Sequence, residues 1–202
     1  MSPQTIKLIA MAFSMKKEIK LVFFTLAVIC LVPVFAVLIL TQAGISIVSD
    51  ALTSLNPQTA QVDIHDPATG AVVDHVEQTA VWPVGGVVTL EYAQVSPYQL
   101  FHTGIDIAGP VTTPVVAFMK GKVIYAGENS WGFGRHVVID HNHHVTSIYA
   151  HLDTINVIEG QDIDVGNVIG TRGNTGWSTG PHLHLEIHQN EIPLNPLSVL
   201  SQ

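Results

Sequence analysis

The chain has 202 residues, of which 47% are hydrophobic and 12% are charged, and its formal net charge at pH 7 is −8. This charge is unevenly divided, because residues 1–40 hold four lysines and one glutamate, whereas the remainder holds four basic and fifteen acidic residues. Binding of nucleic acid requires a basic surface, so we expect no nucleic-acid partner. The length suits one domain of ordinary size with additional segments.

Residues 21–40 form the first predicted element, because they contain no charged residue. A helix of about twenty residues is about 30 Å long, which matches the hydrocarbon core of a bilayer. Lysines precede this stretch, and the next basic residue is Lys120. The positive-inside rule therefore predicts a single-pass transmembrane helix in the cell membrane, with residues 1–20 as a basic cytoplasmic segment and the rest of the chain outside.

A cleaved signal peptide is the alternative, because residues 41–43 resemble a small-x-small cleavage site, and cleavage near Ala43 would release a secreted protein. The apolar stretch is longer than the core of an ordinary signal peptide, which favours a retained anchor. The single cysteine, Cys30, lies within this stretch. We therefore expect no disulfide and no thiol chemistry in the exported part.

Residues 41–80 mix polar residues with single apolar ones and show no sustained periodicity, which predicts a stalk with short strands at most. From residue 81, short β-rich runs alternate with Gly and Pro. Residues 81–202 are therefore predicted to form a mainly β domain, a compact antiparallel sheet or half-barrel. The strands are expected at Val87–Leu90, Val115–Phe118, Lys122–Tyr125, His136–Ile139 and Thr146–Tyr149.

Two polar stretches between these strands contain groups that bind metals. Residues 140–144 include three histidines, but they are predicted to be a hairpin connection with little fixed geometry, from which His141 could still face a cleft. Residues 160–170 contain two aspartates, yet the acidic pattern of a calcium-binding loop is absent. A polar turn between strands is the simpler interpretation.

The motif H-T-G-I-D, at His102–Asp106, offers an imidazole and a carboxylate on either side of Gly104, which lets the backbone turn or approach another group closely. This pair is a weak signal alone. The motif P-H-L-H-L-E, at Pro181–Glu186, adds two further imidazoles. Zn²⁺ accepts imidazole nitrogen and carboxylate oxygen, and three protein ligands leave the fourth tetrahedral position open for water. Together the motifs predict a catalytic metal site.

His182 and His184 alternate with leucines, as in a strand with one buried face, so both imidazoles point to the same side. If one binds the metal, the other lies roughly 7 Å along the strand and can reach a water molecule. The spacing does not tell which is which, and H-x-H alone equally fits a polar strand face. Glu186 continues this face, either as a partner that fixes an imidazole tautomer or as a surface acid.

The loop at residues 173–180 contains three glycines and leads directly into His182. Such a loop can bring its backbone close to a substrate, and Trp177 could form one wall of a cleft, with Asn174 beside it. The alternative is a linker that only lets the chain turn.

These motifs, with Tyr149-Ala150-His151-Leu152 between them, resemble the lysostaphin/LytM-type zinc endopeptidases that cut peptidoglycan cross-bridges. The likeness covers roughly Trp82 to Pro196. The resemblance implies one zinc ion per chain, with His102, Asp106 and His184 as its ligands. It also implies that His151 and His182 act on the water and on the transition state, with Tyr149 near the cleft.

The resemblance predicts a zinc metalloendopeptidase that acts on peptide stems or cross-bridges of peptidoglycan outside the membrane. Two alternatives remain. One is a catalytically inactive family member that regulates another cell-wall hydrolase, although inactive relatives typically lose ligands and all five positions are present here. The other is a structural module of an envelope-spanning apparatus, in which a metal only stabilises the fold.

Overall fold

The computed structural model describes Gln4 and residues 17–56, 61–76, 81–96 and 99–200. Two compact units divide the chain, one formed by Met1–Ala43 and the other by Gly44–Gln202. The first helix, α1, spans Lys17–Leu52 and has Pro33 in its interior. It therefore includes the predicted apolar helix at residues 21–40 and extends twelve residues beyond it.

Most of the large apolar side chains between residues 21 and 40 are exposed. Among the residues that the structure describes, no helix is identified as a candidate membrane span. The transmembrane segment at residues 21–40 therefore stays a prediction.

Short strands occur in the segment at residues 41–80, which was predicted to be a stalk with short strands at most. After α1, three short antiparallel strands form a sheet in the order β1-β2-β3, at Thr53–Leu55, Val62–His65 and Val72–Val76. Leu52 and Ile64 are 5% and 0% exposed and belong to the same hydrophobic core as the β domain. Single apolar residues suffice here, because alternation in a short strand directs one side chain inward and its neighbour outward.

Two antiparallel sheets make up the β domain, which confirms the predicted mainly β, antiparallel class. The larger sheet has the order β11-β7-β8-β9-β13-β5-β4, with β14 paired to β13. Its strands are β4 (Val87–Leu90), β5 (Ile105–Ala108), β7 (Gly121–Asn129), β8 (Gly134–Asp140), β9 (Val145–Ala150), β11 (Asp162–Ile163), β13 (His182–Gln189) and β14 (Ile192–Leu194). The smaller sheet has the order β10-β12-β6, with strands at Leu152–Ile155, Val168–Arg172 and Pro114–Val116. A short helix, α2, spans Pro196–Val199.

Strand β13 separates the core from the functional face. Leu183, Leu185 and Ile187 alternate along it and are fully buried in the core. Burial of each such side chain contributes about 1.5–3 kcal/mol, so the register of this strand is firmly specified. A shift by one residue would move the leucines out of the core. The intervening residues, His182, His184 and Glu186, must therefore occupy the opposite face.

Arg172, at the end of β12, is 1% exposed, and its guanidinium donates to three backbone carbonyls instead of a carboxylate. Its Nε lies 3.0 Å from Pro110 O, and one terminal nitrogen lies 2.9 Å from Gly85 O and 3.3 Å from Ile107 O. Gly109 has no side chain to occupy the space that the guanidinium fills. Arg172 therefore ties β12 to the segments that flank β4 and β5.

We expect Arg172→Met to lower the free energy of unfolding by about 2–4 kcal/mol, because three backbone carbonyls, among them the buried one of Ile107, lose a donor. Arg135→Met is the matched control, since the Arg135 side chain is 38% exposed and pairs with Glu128 at 3.3 Å. That control should cost less than about 1 kcal/mol. Urea denaturation of the two variants measures the difference, and equal costs would contradict the role of Arg172 in the fold.

Candidate metal centre

Strands β5 and β13 are antiparallel neighbours, and their register pairs His184 directly with Asp106. His102 lies four residues before Asp106, beyond the tight approach of Gly104 to β13. A β-carbon at Gly104 would overlap the carbonyl oxygen of Leu185, so only glycine fits. The two sequence motifs therefore meet across a strand pair, and the glycine between His102 and Asp106 makes the approach possible.

Three ligand atoms converge at this point. His102 Nε2 lies 3.0 Å from His184 Nδ1 and 3.1 Å from Asp106 Oδ1, and His184 Nδ1 lies 2.9 Å from Asp106 Oδ1. Ligand atoms of a tetrahedral Zn²⁺ with bonds of about 2.0–2.1 Å are about 3.3 Å apart, so the observed triangle nearly has the required size. Two nitrogens and one oxygen also match the donor preference of Zn²⁺. His102, Asp106 and His184 could therefore hold a metal ion.

The remaining nitrogen of each of these histidines has its own acceptor, which fixes the tautomer that a metal requires. His102 Nδ1 donates to Glu91 O at 3.2 Å, and this leaves Nε2 directed at the cluster. His184 Nε2 donates to Glu186 Oε1 at 2.9 Å, and this leaves Nδ1 directed at Asp106. Glu186 is thus the partner of an imidazole, one of its two predicted roles.

Glu186 is itself held on both carboxylate oxygens. The hydroxyl of Thr103 donates to Oε1, and His188 Nε2 lies 2.6 Å from Oε2. Burial raises the pKa of the Glu186 carboxyl, but hydrogen bonds from His184 and His188 outweigh burial and hold this pKa well below its usual range. An ionised carboxylate is therefore fixed behind His184. His188, which the sequence analysis did not place in the site, supports it from the far side.

Charge is concentrated on the other side of His184 as well. Burial raises the pKa of Asp106, yet its contacts with His102 and His184 bring this pKa far below its usual range. For His184, burial lowers the pKa, but the bonds to Asp106 and Glu186 prevail and raise it to about 9. Two carboxylates thus make this a strongly cation-attracting position, as expected of a metal site.

Two further histidines flank the cluster. His182 Nε2 lies 3.6 Å from Asp106 Oδ1, and His182 Nδ1 donates to Gly180 O at 2.8 Å. His151 Nδ1 donates to Thr175 O at 2.8 Å, and its ring centroid lies 4.7 Å from that of His182. Burial, together with the nearby His182 and His184 rings, lowers the pKa of His151 to about 4. His151 is therefore unprotonated at neutral pH.

His151 also has an unusual backbone. Its φ of 60° lies in the left-handed region, which non-glycine residues seldom adopt. The backbone N–H of His151 donates to Phe133 O at 2.9 Å, and its ring is held by Thr175. A left-handed residue at a site of this kind is a frequent sign of function, because surrounding contacts must enforce the conformation.

A cleft of about 560 Å³ lies over this cluster. Its floor includes Asp106, His151, His182, His184 and Glu186. Mostly polar or aromatic residues form its walls, together with one leucine and one glycine: Thr89, Leu90, Ser96, Gln99, Thr103, Gly132, Phe133, Trp177, Ser178 and Thr179. Trp177 thus lies where the sequence predicted a wall. The loop residues from β4 to β5 and Phe133 had no signal of their own in the sequence.

Tyr149 and His141 lie away from the cleft, contrary to expectation. Tyr149 is opposite Leu185 in the sheet register and therefore points into the core, where its hydroxyl accepts from Phe118 N at 3.0 Å. His141 is 3% exposed, with its ring between Lys120 O at 2.7 Å and Ser147 Oγ at 2.8 Å. Both side chains belong to the interior.

Asn174 is exposed, accepts a hydrogen bond from Ser178 at 2.6 Å, and is not among the residues that line the cleft. The hairpin at residues 140–144 forms as predicted between β8 and β9. Within the described ranges, the one group of side chains arranged for a metal is His102, Asp106 and His184, so the hairpin histidines do not form a second such group.

The chain is similar to known proteins over much of the β domain. The model of Peptidase family M23 matches residues 100–196. The DD-carboxypeptidase/endopeptidase Mpg of Neisseria meningitidis serogroup B is 47% identical over 98 residues, which are 48% of this chain and 22% of that protein. The murein hydrolase activator NlpD of Salmonella dublin is 39% identical over 121 residues, which are 60% of this chain and 31% of that protein. The chain thus covers less than a third of either relative.

The chain covers a larger share of one solved structure than of these two relatives. The catalytic domain of a mutant of the prophage-encoded M23 protein EnpA from Enterococcus faecalis superposes with a TM-score of 0.51 and 36% sequence identity. The match covers 55% of this chain and 88% of the EnpA domain. With the sheet arrangement, the matched family model and this level of identity in agreement, the chain belongs to peptidase family M23.

Proposed function

We propose that the chain is a zinc-dependent endopeptidase that hydrolyses peptide cross-links of peptidoglycan. The convergence of His102 Nε2, Asp106 Oδ1 and His184 Nδ1 on one point carries this proposal, because it provides three ligands and leaves a cleft above them. The donor set fits one Zn²⁺ per chain. When bound, Zn²⁺ supplies an electrophile for a peptide carbonyl and lowers the pKa of a water molecule toward 7.

The chain's own residues supply the proton transfers. His182 donates its Nδ1 proton to Gly180 O, so its Nε2 faces the cleft as an acceptor beside Asp106. His151 is likewise held by Thr175 O and presents an unprotonated Nε2 at neutral pH. We assign His182 to orienting or deprotonating the water. The proton that His182 takes from the water passes to Nε2 of the adjacent His151, which then donates it to the developing oxyanion or to the leaving amine. Each role is worth on the order of 10²- to 10⁴-fold in rate.

The substrate proposal is supported by the relatives and by the cleft. Mpg is named as a DD-carboxypeptidase/endopeptidase and NlpD as a murein hydrolase activator, and both names concern the cell wall. The cleft is open to solvent and has a volume of about 560 Å³. No lysine or arginine lines it among the described residues, so recognition depends on the metal, hydroxyls and aromatic rings instead of on basic side chains.

We also propose that residues 21–40 anchor the chain in the membrane, with the amino terminus cytoplasmic and the β domain outside. The order of lysines followed by an uncharged apolar stretch supports this arrangement. An anchored hydrolase would act on the adjacent wall layer. Protease accessibility in intact spheroplasts tests this membrane orientation. Digestion from outside should remove the β domain and leave a protected fragment that includes residues 21–40.

Activation of another wall hydrolase is the second candidate function, because the match to NlpD covers more of this chain than the match to Mpg. The complete set of three ligand-type side chains and two flanking histidines favours catalysis over this alternative. An activator would not require an ordered triangle of metal ligands beneath an open cleft.

Purified full-length chain in detergent, incubated with defined cross-linked muropeptides, decides between these functions. We expect mass spectrometry to show peptide cleavage that a chelator stops and added Zn²⁺ restores. Zinc bound in about equimolar amount without any cleavage would contradict the hydrolase proposal. Stimulation of a separate wall hydrolase under the same conditions would then support the activator.

We expect zinc affinity to rise with pH. In the metal-free chain the pKa of His184 is raised to about 9, so below that pH its Nδ1 carries a second proton, shared with Asp106, that the metal must displace. Release of one proton makes the affinity about tenfold higher per pH unit up to about pH 9, where the dependence levels off. Competition with a chromophoric chelator at several pH values measures this slope.

The matched variant for this measurement is Glu186→Gln. It removes one of the two carboxylates that hold the His184 proton, so the pKa of His184 should fall and the slope should flatten at lower pH. A wild-type affinity that does not change between pH 6.5 and pH 8.5 would show that the proton is absent.

A further inference from the structure

Two tryptophans stack on each other at the edge of the cleft, and the proposed hydrolysis does not use them. The ring centroids of Trp131 and Trp177 are 5.9 Å apart, and their planes are inclined by 28°. Trp131 is 76% exposed and Trp177 is 57% exposed. Exposure of two indoles forgoes the burial of much apolar surface, so this pair does not serve the core.

The backbone beneath the pair is rigid. Trp131 belongs to the turn between β7 and β8, and Trp177 belongs to the loop before β13. The N–H of Trp177 donates to Gly132 O at 2.8 Å. Gly134 and Gly176 touch backbone to backbone, because a β-carbon on either would overlap the other loop. The two loops therefore present the indoles in a fixed arrangement.

The same two loops hold His151. Phe133 O accepts from the His151 backbone N–H at 2.9 Å, and Thr175 O accepts from its Nδ1 at 2.8 Å. Trp177, Gly132 and Phe133 also line the cleft above the metal ligands. The indole pair is thus continuous with the cleft, and its position relative to the reacting groups is fixed. A ligand that binds the pair would be aligned with the cleft.

The groups described next to the pair are hydroxyls and one guanidinium that is already paired with carboxylates. The cleft rim next to Trp177 offers the hydroxyls of Ser178 and Thr179. Arg135, which follows the Trp131 turn, is paired with Glu128 at 3.3 Å and with Asp153 at 3.9 Å, so it presents no unpaired charge. Flat aromatic faces beside neutral hydroxyls suit a ligand that is itself neutral, with an apolar face and hydroxyl or amide groups at its edge.

We propose that the Trp131–Trp177 pair binds a sugar ring of the glycan strand next to the peptide in the cleft. A pyranose has a face of C–H bonds that stacks on an aromatic plane and a rim of hydroxyl and acetamido groups that forms hydrogen bonds. The identification of this sugar as part of the wall rests on the proposed function. The pair therefore makes the chain select peptides that are still attached to glycan.

The test is binding of a peptide-free tetrasaccharide of β-1,4-linked N-acetylglucosamine to the full-length chain, in a detergent without a sugar headgroup. Tryptophan fluorescence and calorimetry report the dissociation constant. We expect saturable binding by the wild type and weakening of roughly five- to tenfold in Trp131→Ala and in Trp177→Ala, the range typical of one aromatic contact. Trp131→Phe should lose less than about twofold, because it keeps an aromatic face.

Ile158→Ala is the control, because Ile158 is 73% exposed and does not line the cleft. It should bind the tetrasaccharide like the wild type. Failure of the wild type to bind the tetrasaccharide would overturn the proposal, and so would equal binding by Trp131→Ala. This assay measures no hydrolysis, so it is independent of the proposed enzyme activity. Sugar binding without peptide cleavage would support the Trp131–Trp177 pair as a sugar site and would reject the proposed hydrolase.

Two other occupants give different results. If the pair faces a lipid surface, nanodiscs with brominated lipid should quench tryptophan fluorescence in the wild type, and the quenching should be lost in the double variant Trp131→Phe, Trp177→Phe. If it binds peptide, a sugar-free stem peptide should lose affinity in Trp131→Ala while the tetrasaccharide does not bind at all. Either result overturns the assignment to sugar.

Discussion

His102→Ala is expected to release the metal and to abolish hydrolysis. His102 is fully buried and supplies one of only three ligand atoms, at 3.0 Å from His184 Nδ1 and 3.1 Å from Asp106 Oδ1. Loss of a supporting residue behind a metal ligand typically costs 10- to 100-fold in affinity, and loss of a ligand itself should cost more. Zinc content after gel filtration and cleavage of cross-linked muropeptides are the two measurements.

His141→Ala is the matched control for this variant. His141 is also a buried histidine with both ring nitrogens hydrogen-bonded, to Lys120 O and Ser147 Oγ, but it lies outside the metal cluster. Its truncation leaves a cavity and two unsatisfied groups, so some stability is lost while zinc stays bound. If His102→Ala retained a full complement of zinc, the ligand assignment would be wrong.

The sequence was most informative where alternation and glycine dictate the backbone. H-L-H-L predicted a strand with both imidazoles on one face, and β13 has that pattern because its leucines must be buried. Gly104 predicted a close approach, and the structure gives the reason in the contact with Leu185 O. Such features depend on neighbours along the chain, which a sequence records directly.

Side-chain positions that depend on the register between strands could not be predicted from the residues alone. Tyr149 precedes Ala150 and His151 in a motif that resembles an active-site segment, yet its register opposite Leu185 turns it into the core. The distinction between His182 and His184 has the same origin. The family resemblance named His184 as the ligand, and its pairing with Asp106 across β5 and β13 supplies the geometric reason.

Contacts between loops were also invisible in the sequence. Trp131 lies in a turn with no recognisable motif, and its significance comes from stacking on Trp177, 46 residues later. Likewise, residues 44–76 have no periodicity, but Ile64 is fully buried because the β domain provides a surface for it. Stabilisation of this kind comes from tertiary packing, and the local sequence pattern does not indicate it.

The second large effect is expected for His151→Ala, which should keep zinc bound and still lose most of its activity. His151 is not one of the three ligands, and its ring lies 4.7 Å from His182 across the cleft floor. Removal of a general acid or of a donor to the oxyanion lowers kcat by on the order of 10²- to 10⁴-fold. Zinc content and kcat are therefore expected to separate in this variant, whereas they fall together in His102→Ala.

The double variant with His182→Ala makes this test sharper. If His151 and His182 act on the same step, removal of both should cost little more than removal of one, because groups that act as a unit are strongly non-additive. Alanine at position 151 must adopt the left-handed φ of 60° without the ring contact to Thr175, so the melting temperature of each variant is measured beside its activity. Wild-type activity in His151→Ala would reject the mechanism while leaving the metal site in place.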